Sequence, residues 1–300
     1  MRLVHWAAAG GNFGDDMNAW LWDHLLPGWR DWSPATDLLG IGTILKDGFV
    51  DPGRRKLVLG SGVGYGAPPA LAPAEAWDVR CVRGPLTAAA LGLPERLAVV
   101  DPAVTVADMP EFRGARRTGE TLFVPHYRSL GLLDWRAAAE GAGVAFQSPS
   151  ADSRAVIARI ASADRVIAES LHAAIVADAF RVPWAPVTIG GGFNAFKWKD
   201  WAASVGAEFR PTPFLRVARQ VQASLSWSGR AVRGGPAEPR AGGGRLARAR
   251  AALLGLLATR DLMRAARGHF HLSEGALLER KKDALAGILA GVRRDYGGGA

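Results

Sequence analysis

The stretch RVIAESLHAAIVADAF, residues 165–180, decides the fold of this 300-residue chain. Its first part, RVIAES (165–170), is mostly apolar and β-branched and predicts a buried strand. The small and apolar residues from 168 to 180 predict the helix that follows. A buried strand that leads directly into a helix is half of a βαβ unit, from which parallel sheets are built. One imidazole, His172, lies at this junction.

The same alternation of strand and helix runs through the first two thirds of the chain. Strands are predicted at 2–8, 56–62, 78–84, 97–104, 121–127, 144–149, 165–170 and 183–189. Helices are predicted at 15–27, 85–93, 135–143, 152–163, 168–180 and 196–206. A polar stretch at 111–120 interrupts this rhythm. We therefore predict an α/β fold with two Rossmann-like domains, 1–115 and 116–212, that face each other across a cleft.

Composition limits the classes of protein to consider. Hydrophobic residues make up 49% of the chain, as in a globular protein with a core, and there is no uncharged apolar run of 18 residues. The apolar stretch near the N-terminus is too short for a signal peptide, since Asp15 and Asp16 follow it closely. The lone cysteine, Cys81, excludes an intramolecular disulfide and a multi-cysteine metal site. We expect a cytoplasmic protein.

The positive charge belongs to the last third of the chain. The net charge is +9, yet residues 1–211 hold 21 Lys and Arg against 22 Asp and Glu, whereas residues 212–300 hold 16 against 6. This region, 213–300, is predicted to be a basic helical extension with helices at 214–227, 245–270 and 275–293 and a flexible Gly/Pro/Arg-rich linker at 228–245.

The basic helix at 245–268 carries arginines around a leucine-rich stripe, which leaves two interpretations open. It attaches to an anionic membrane surface, at the inner face of the membrane, or it packs on the body of the protein and exposes its arginines to water. Nucleic-acid binding is not expected, because the segment has few aromatic residues for stacking on bases.

Two glycine-rich turns each follow a predicted strand. The first, GGNFG (10–14), contains Asn12 and precedes Asp15, which either caps the next helix or acts as a base on a sugar hydroxyl. The second, GSGVGYG (60–66), contains Gly62 and Gly64. It is either a tight turn or a backbone cradle for a phosphate or carboxylate.

Three further residues lie at predicted strand ends. Arg83 ends a strand just before a helix begins at Pro85, and its planar guanidinium suits either a carboxylate or phosphate ligand or a surface salt bridge. His126 lies at the carboxyl end of the strand predicted at 121–127, and His172 follows the next strand but one. Because ligands of open α/β sheets bind at the carboxyl ends of strands, both histidines are candidate functional residues rather than core histidines.

Several short motifs occur in an order that resembles the polysaccharide pyruvyl transferases, especially those of exopolysaccharide clusters. They are GNFGD (11–15), RGP (83–85), DPA (101–103), PH (125–126), SLHAAIVADAFRVPW (170–184) and FKWKDW (196–201), and they cover residues 1–206. The resemblance implies a GT-B-like architecture. It also implies transfer of a pyruvyl group from phosphoenolpyruvate to two hydroxyls of one sugar, free or lipid-linked, which yields a cyclic ketal and phosphate.

The resemblance also implies residue roles. His172 would be the general acid that protonates the enol carbon, and His126 and Asp15 would handle the acceptor hydroxyls. Arg83 would hold the carboxylate or phosphate of the donor, and Lys197 would add positive charge near the phosphate. The two glycine turns, with Asn12 in one and Gly62 and Gly64 in the other, would donate backbone N–H groups. No metal or cofactor is expected; phosphoenolpyruvate is a co-substrate.

The chain departs from the family at one position. Many members carry an arginine immediately before the Leu-His pair, and here that residue is Ser170. Either another cation takes its place, for which Arg83, Arg128 and Lys197 are the candidates, or donor binding is altered. Two other functions stay open at this point: a GT-B glycosyltransferase that uses a nucleotide sugar, and a non-catalytic module that binds a carbohydrate or partner through a degenerate site.

Overall fold

A computed structural model of the protein describes residues 1–190, 193–214 and 245–298. It contains two β-sheets whose strands are all parallel. The first sheet has the order β1 (Arg2–Val4), β2 (Thr36–Leu39), β3 (Arg55–Leu59), β4 (Trp77–Cys81). The second has the order β6 (Ala145–Phe146), β5 (Thr121–Val124), β7 (Arg165–Ala168), β8 (Trp184–Thr188), β9 (Thr212–Pro213). The predicted α/β class with two parallel sheets is confirmed, whereas the domain boundaries stay predictions.

Most helices follow strands, as parallel sheets require. They are α1 (Phe13–Asp16), α2 (Asn18–Leu25), α3 (Pro85–Ala90), α4 (Trp135–Gly141), α5 (Ser153–Ser162), α6 (Leu171–Ala179), α7 (Ala195–Ser204), α8 (Arg245–Ala266) and α9 (Gly275–Gly297). Three of them begin at residues whose side chains accept a bond from a backbone N–H of the first turn: Asp134, Asp152 and Asn194. Such N-caps explain why these helices begin where they do.

Helix α6 is the centre of the second sheet's packing. All nine of its residues are buried, because it packs on β7, β8 and the 3-10 helix Pro102–Asp108. Its alanines allow close approach on every side, so the helix needs no polar face. Burial of the whole helix also fixes the position of His172 in its first turn.

Strand β2 is missing from the sequence prediction, and the reason is a buried carboxylate. Asp37 lies in the middle of the strand and is fully buried. The Arg2 guanidinium donates two hydrogen bonds to it, at 2.9 and 2.7 Å, and Arg54 donates a third at 2.6 Å. A charged residue in a four-residue strand conceals the apolar pattern by which strands are recognised. The two-residue strand β9 was missed as well.

The predicted strand at 97–104 is wrong. Residues Glu95–Leu97 and Pro102–Asp108 form 3-10 helices, and only Ala98 makes an isolated parallel bridge, to Val82. Pro102 has no N–H for a sheet ladder. The Asp101 carboxylate instead accepts a hydrogen bond of 3.0 Å from the Ala103 N–H and caps the second 3-10 helix.

The strand predicted at 2–8 ends at Val4. The residues beyond it, including Trp6, form a loop at the carboxyl end of β1 rather than part of the sheet. Trp6 therefore lies outside the strand in which it was predicted, and it is 39% exposed.

The C-terminal helices pack on the body of the protein. Helix α8 packs on α4 and buries Ala258, Leu262 and Ala265. Helix α9 contacts β4 and the 3-10 helix Pro102–Asp108 and buries four apolar side chains: Leu278, Leu285, Leu289 and Val292. The extension is therefore part of the core. The predicted helix at 214–227 and the linker at 228–245 lie outside the described residues, apart from Phe214 and Arg245 at their ends.

None of the helices in the described residues is sufficiently long and apolar to cross a lipid bilayer.

We expect that replacement of Leu285 by Ala lowers the free energy of unfolding by about 2–4 kcal/mol, because the side chain is fully buried between α9 and the body. Urea denaturation followed by circular dichroism measures this change. Leu256→Ala is the matched control, since Leu256 on α8 is 64% exposed and should change stability by no more than about 0.5 kcal/mol. Equal effects of the two substitutions would contradict the packing of α9.

Candidate active site

A cavity of about 160 Å³ lies at the carboxyl ends of the strands. Its lining residues follow β1, β2, β3 and β4 of the first sheet and β5, β7 and β8 of the second. Six of the eight predicted site residues line it: Asn12, Asp15, Arg83, His126, His172 and Lys197. The strand ends of both sheets thus converge on one site, which is the edge where open α/β sheets bind ligands.

The cavity is strongly cationic. Four of its lining side chains are lysines or arginines, namely Lys46, Arg83, Arg128 and Lys197, and Asp15 is the one carboxylate among the lining residues. Positive charges at this density favour binding of an anion with more than one negative charge. The site is therefore suited to a phosphate or carboxylate ligand.

The turn after β1 separates the roles of the two adjacent acids. The Asp16 carboxylate accepts the N–H of Asn12 at 2.9 Å and so stabilises the turn. Asp15 instead accepts a hydrogen bond of 2.5 Å from the Asn12 side chain and lines the cavity. Burial raises the pKa of Asp15, while the nearby His172 and Asn12 oppose this shift. The Asp15 carboxyl group thus has no role in capping the turn and is available in the cavity as a proton acceptor.

His172 lies in the first turn of α6 with its ring against the turn after β1. A Cβ on residue 14 would come within 2.1 Å of the imidazole Nδ1, so only glycine leaves room for the ring. On the other side, Nε2 lies 3.7 Å from Oδ2 of the Asp101 carboxylate. Neither of these two buried atoms has a hydrogen-bond partner among the described residues. A proton on Nε2 would therefore face a buried carboxylate that compensates its charge.

His126 is held as a neutral imidazole. Burial, together with the positive charges of Lys197 and Arg128, lowers the pKa of His126 to about 3. Its Nδ1 accepts the Arg128 N–H at 3.3 Å, so the proton of the neutral ring resides on Nε2. His126 therefore offers a hydrogen-bond donor to the cavity and cannot supply a proton as an acid near pH 7.

Glu169 supports the loop that carries His126, and the sequence analysis did not identify it. Its carboxyl oxygens accept the His126 N–H at 2.8 Å and the Ser129 hydroxyl at 2.9 Å. Burial raises the pKa of Glu169 to about 7, against the lowering effect of these two bonds. The signal for it was available, since Glu169 lies at the carboxyl end of β7, two positions before the Leu-His pair.

Lys197 and Arg128 meet on one aromatic ring. The Lys197 ammonium lies 3.3 Å from the Tyr65 hydroxyl and 5.7 Å from the centre of its ring, and the Arg128 guanidinium lies 5.8 Å from the same centre. Burial lowers the pKa of Lys197 to about 8, partly offset by Asp15. Lys197 is therefore mostly charged at pH 7 and has no carboxylate in salt-bridge contact among the described residues.

Arg83 is in an interior ion pair rather than a surface one. Its Nε donates to the Asp200 carboxylate of α7 at 3.0 Å, and its other nitrogens donate to the Thr43 hydroxyl at 2.8 Å and the Val63 carbonyl at 3.1 Å. Only 1% of Arg83 is exposed. The guanidinium thus links the two sheets through buried bonds and also contributes charge to the cavity wall.

The second glycine turn makes room for Arg83. A Cβ on residue 62 would lie 2.3 Å from the guanidinium carbon. At residue 64, where φ is +151°, a Cβ would lie 3.0 Å from the Asn194 side chain. Gly62 and Gly64 therefore lie beneath the site and do not line it. The N–H of Gly62 donates to the Gly42 carbonyl at 2.9 Å, which commits one of the predicted phosphate donors to the fold.

Ser170 lies immediately before the Leu-His pair, at the position for which the family resemblance implies an arginine. It is buried at the start of α6 and lines the cavity beside His172. The three cations that could replace that arginine, Arg83, Arg128 and Lys197, all line the same cavity. Positive charge is therefore present although the arginine is not.

The parallel α/β fold places a cationic cavity, with a buried imidazole and a carboxylate, at the strand ends, and this arrangement suits an enzyme that binds an anion. The sequence model of the family described as polysaccharide pyruvyl transferase matches residues 13–191. The chain is also 39% identical to the succinoglycan biosynthesis protein ExoV of Rhizobium meliloti strain 1021, over 317 aligned positions that cover 99% of this chain and all of the relative. No solved structure matches this chain. The chain belongs to the polysaccharide pyruvyl transferase family and is an enzyme of the transferase class.

We expect Arg83→Ala to lower the free energy of unfolding by about 3–5 kcal/mol, because it leaves the buried Asp200 carboxylate without its cation. Thermal or urea denaturation measures the loss. Arg55→Ala is the control: this half-exposed guanidinium lies 3.8 Å from the Asp78 carboxylate, which keeps Arg80 as a closer partner at 2.6 Å, so its loss should cost at most about 1 kcal/mol. If Arg83→Ala proved as mild as the control, the interior ion pair would not be structural.

Proposed function

We propose that the enzyme transfers the pyruvyl group of phosphoenolpyruvate to two hydroxyls of one sugar, with formation of a cyclic ketal and release of phosphate. The acceptor is a saccharide of an exopolysaccharide or its lipid-linked precursor, in line with the name of the ExoV relative. The observation that carries the proposal is that four cations and His172, which has the buried Asp101 carboxylate beside it, line one cavity in a member of this family.

The donor suits the charge of the cavity. Phosphoenolpyruvate carries a carboxylate and a phosphate, which together need at least two cationic partners. Lys197 and Arg128 are available for this purpose, since both rest on Tyr65 and neither is in an ion pair among the described residues. Arg83 adds its charge from the wall while its N–H groups hold Asp200, Thr43 and Val63. These cations take the place of the arginine for which this chain has Ser170.

The chemistry begins with protonation of the methylene carbon of the donor. His172 as imidazolium donates this proton, and positive charge develops at C2, where the first sugar hydroxyl attacks and loses its proton. The C2–O bond to phosphate then breaks, and the second hydroxyl attacks the cation that results. Carbon gains the proton that His172 gives up. The first hydroxyl proton passes to the enzyme through Asp15 and restores His172, and the second leaves with phosphate, so that the protons balance.

The acceptor hydroxyls have two partners in the cavity. The Asp15 carboxylate is placed to accept a proton from an attacking hydroxyl, since Asp16 stabilises the turn in its stead. His126, whose depressed pKa keeps it neutral, holds a hydroxyl or a phosphate oxygen through its Nε2–H. The assignment leaves His172 as the acid and gives His126 a binding role.

The proposed architecture of the enzyme is GT-B-like, with two Rossmann-like domains and the active site in the cleft between them. Support comes from the lining of the cavity, to which strand ends of both sheets contribute. The setting is the cytoplasmic face of the membrane. Helix α8 supports it with two exposed leucines, Leu253 and Leu256, and with exposed arginines at 248, 250 and 260 that suit anionic lipid; the exposed Arg267 follows its last residue.

Phosphoenolpyruvate is expected to stabilise the fold, by roughly 2.7 kcal/mol at about 100 times its dissociation constant. A thermal-shift titration measures the dissociation constant. Because the Lys197 amine loses its proton as pH rises through about 8, affinity should fall by up to about tenfold per pH unit between pH 8 and 9.5. The charge of the phosphate does not change in this range.

Lys197→Arg is the matched variant, since its guanidinium keeps its charge and its affinity should stay level across the same pH range. A panel of nucleotide sugars is the competing set of ligands. Stabilisation by a nucleotide sugar and not by phosphoenolpyruvate would replace the proposed function with glycosyl transfer. Stabilisation by neither would favour a non-catalytic binding module.

We expect His172→Gln to reduce phosphate release from phosphoenolpyruvate by at least about 100-fold, because glutamine cannot donate a proton as an acid. The assay uses oligosaccharides from mild-acid-treated succinoglycan as acceptor. Gly14→Ala should reduce the rate too, by ~10-fold or more, since the new methyl group displaces the imidazole ring without changing its chemistry.

Gly255→Ala is the control for the glycine substitution, as a Cβ there meets no atom within 4 Å. Undiminished phosphate release by His172→Gln, with phosphoenolpyruvate still bound, would remove His172 from the role of acid.

A further inference from the structure

The cavity contains a second group of aromatic and cationic side chains that the donor does not require. Trp6 follows β1, and Lys46 and Phe49 follow β2, so the parallel pairing of these strands brings the three side chains to one side of the cavity. The other group, Tyr65 with Lys197 and Arg128, is the one assigned to the donor. None of the described contacts joins the two groups directly.

The geometry of this group is that of an aromatic platform. The rings of Trp6 and Phe49 lie 6.4 Å apart with 33° between their planes. The Lys46 ammonium lies 5.7 Å from the centre of the Trp6 ring and 5.1 Å from that of Phe49. An ammonium group that lies over the two rings fixes their orientation and places its N–H donors beside them.

Exposure distinguishes Trp6 from an ordinary surface residue. It is 39% exposed, and of the five large hydrophobic residues exposed in the described part of the chain it is the one aromatic and the one that lines the cavity. An indole face left open to water beside an anion site has a cost that ligand binding would recover. Tryptophan also loses little conformational freedom when it binds, because it has only two side-chain torsions.

We propose that Trp6, Phe49 and Lys46 form the subsite for the pyranose ring of the acceptor. This inference rests on the proposed function. A pyranose presents C–H groups from one face and hydroxyls from its rim. The C–H groups pack on the electron-rich indole face, and the Lys46 ammonium donates to the rim hydroxyls or the ring oxygen. The platform thus binds a neutral ring next to the anionic donor.

Position along the chain supports this assignment. The loop that carries Lys46 and Phe49 also carries Thr43, whose hydroxyl accepts a hydrogen bond from Arg83 at 2.8 Å. The turn that follows Trp6 leads to Asn12 and Asp15. The platform is therefore connected by short segments to the cation on the cavity wall and to the carboxylate proposed as the base, where an acceptor hydroxyl has to arrive.

The test is saturation-transfer NMR on the full chain, saturated with phosphoenolpyruvate. The probes are the methyl β-pyranosides of glucose and galactose and methyl α-mannopyranoside. The wild-type protein should transfer magnetisation to the ring C–H protons of at least one pyranoside. Trp6→Ala should weaken binding of that pyranoside by about tenfold or more, and Trp6→Tyr should lose no more than about threefold because a ring face remains.

Leu272→Ala is the control variant, since Leu272 is 41% exposed and lies outside the cavity lining; its binding should equal that of the wild type. In all variants, thermal stabilisation by phosphoenolpyruvate should persist. If Trp6→Ala bound the pyranoside as well as the wild type, or if no pyranoside bound while phosphoenolpyruvate did, the subsite would be wrong and the proposed function would survive. Failure of phosphoenolpyruvate to stabilise the wild type would instead overturn the function on which the subsite rests.

Discussion

The buried ion pair between Arg83 and Asp200 is the interaction on which the site depends. It joins the residue after β4 of the first sheet to α7, which follows β8 of the second. Asp200 also accepts two hydrogen bonds from Thr87, so its charge is fully compensated without water. Gly62 leaves the space for the guanidinium, and at Gly84 a Cβ would lie 2.1 Å from the Asp200 carbonyl oxygen. Together these contacts hold side by side the strand ends that form the cavity.

The chemistry of the site follows from burial among cations. Burial, together with neighbouring cations, lowers the pKa of His126 to about 3 and that of Lys197 to about 8, whereas burial raises the pKa of Glu169 to about 7 against the opposing effect of Lys197. Two histidines on one rim thereby acquire different roles. His126 is a neutral donor, whereas His172 faces the Asp101 carboxylate and can carry a proton. His126 is neutral because it is buried beside Lys197 and Arg128, an arrangement that only the three-dimensional structure supplies.

Sequence patterns predicted the alternation of strands and helices well, since buried apolar runs, glycine turns and N-caps are local signals. They failed where a tertiary contact overrides the local signal. Strand β2 contains Asp37, whose two arginine partners lie 35 positions before and 17 after it. Residues 97–104 look like a strand, but Pro102 and the Asp101 cap favour a 3-10 helix. Six of the eight predicted site residues line the cavity, because strand ends are readable from sequence. Asp101 and the Trp6 platform were missed, since each depends on contacts between distant segments, whereas Glu169 was missed although its place at the carboxyl end of β7 can be read from the sequence.

In the proposed mechanism, His172 protonates C3 of phosphoenolpyruvate, and two sugar hydroxyls form bonds to its C2. The most direct measurement is the reaction in D₂O with oligosaccharides from mild-acid-treated succinoglycan, followed by NMR and mass spectrometry of the product. We expect a ketal whose methyl group carries one deuterium, with one phosphate released per ketal. A product in which the saccharide is unchanged, or a methylene group retained at C3 as in an enol ether, would contradict it.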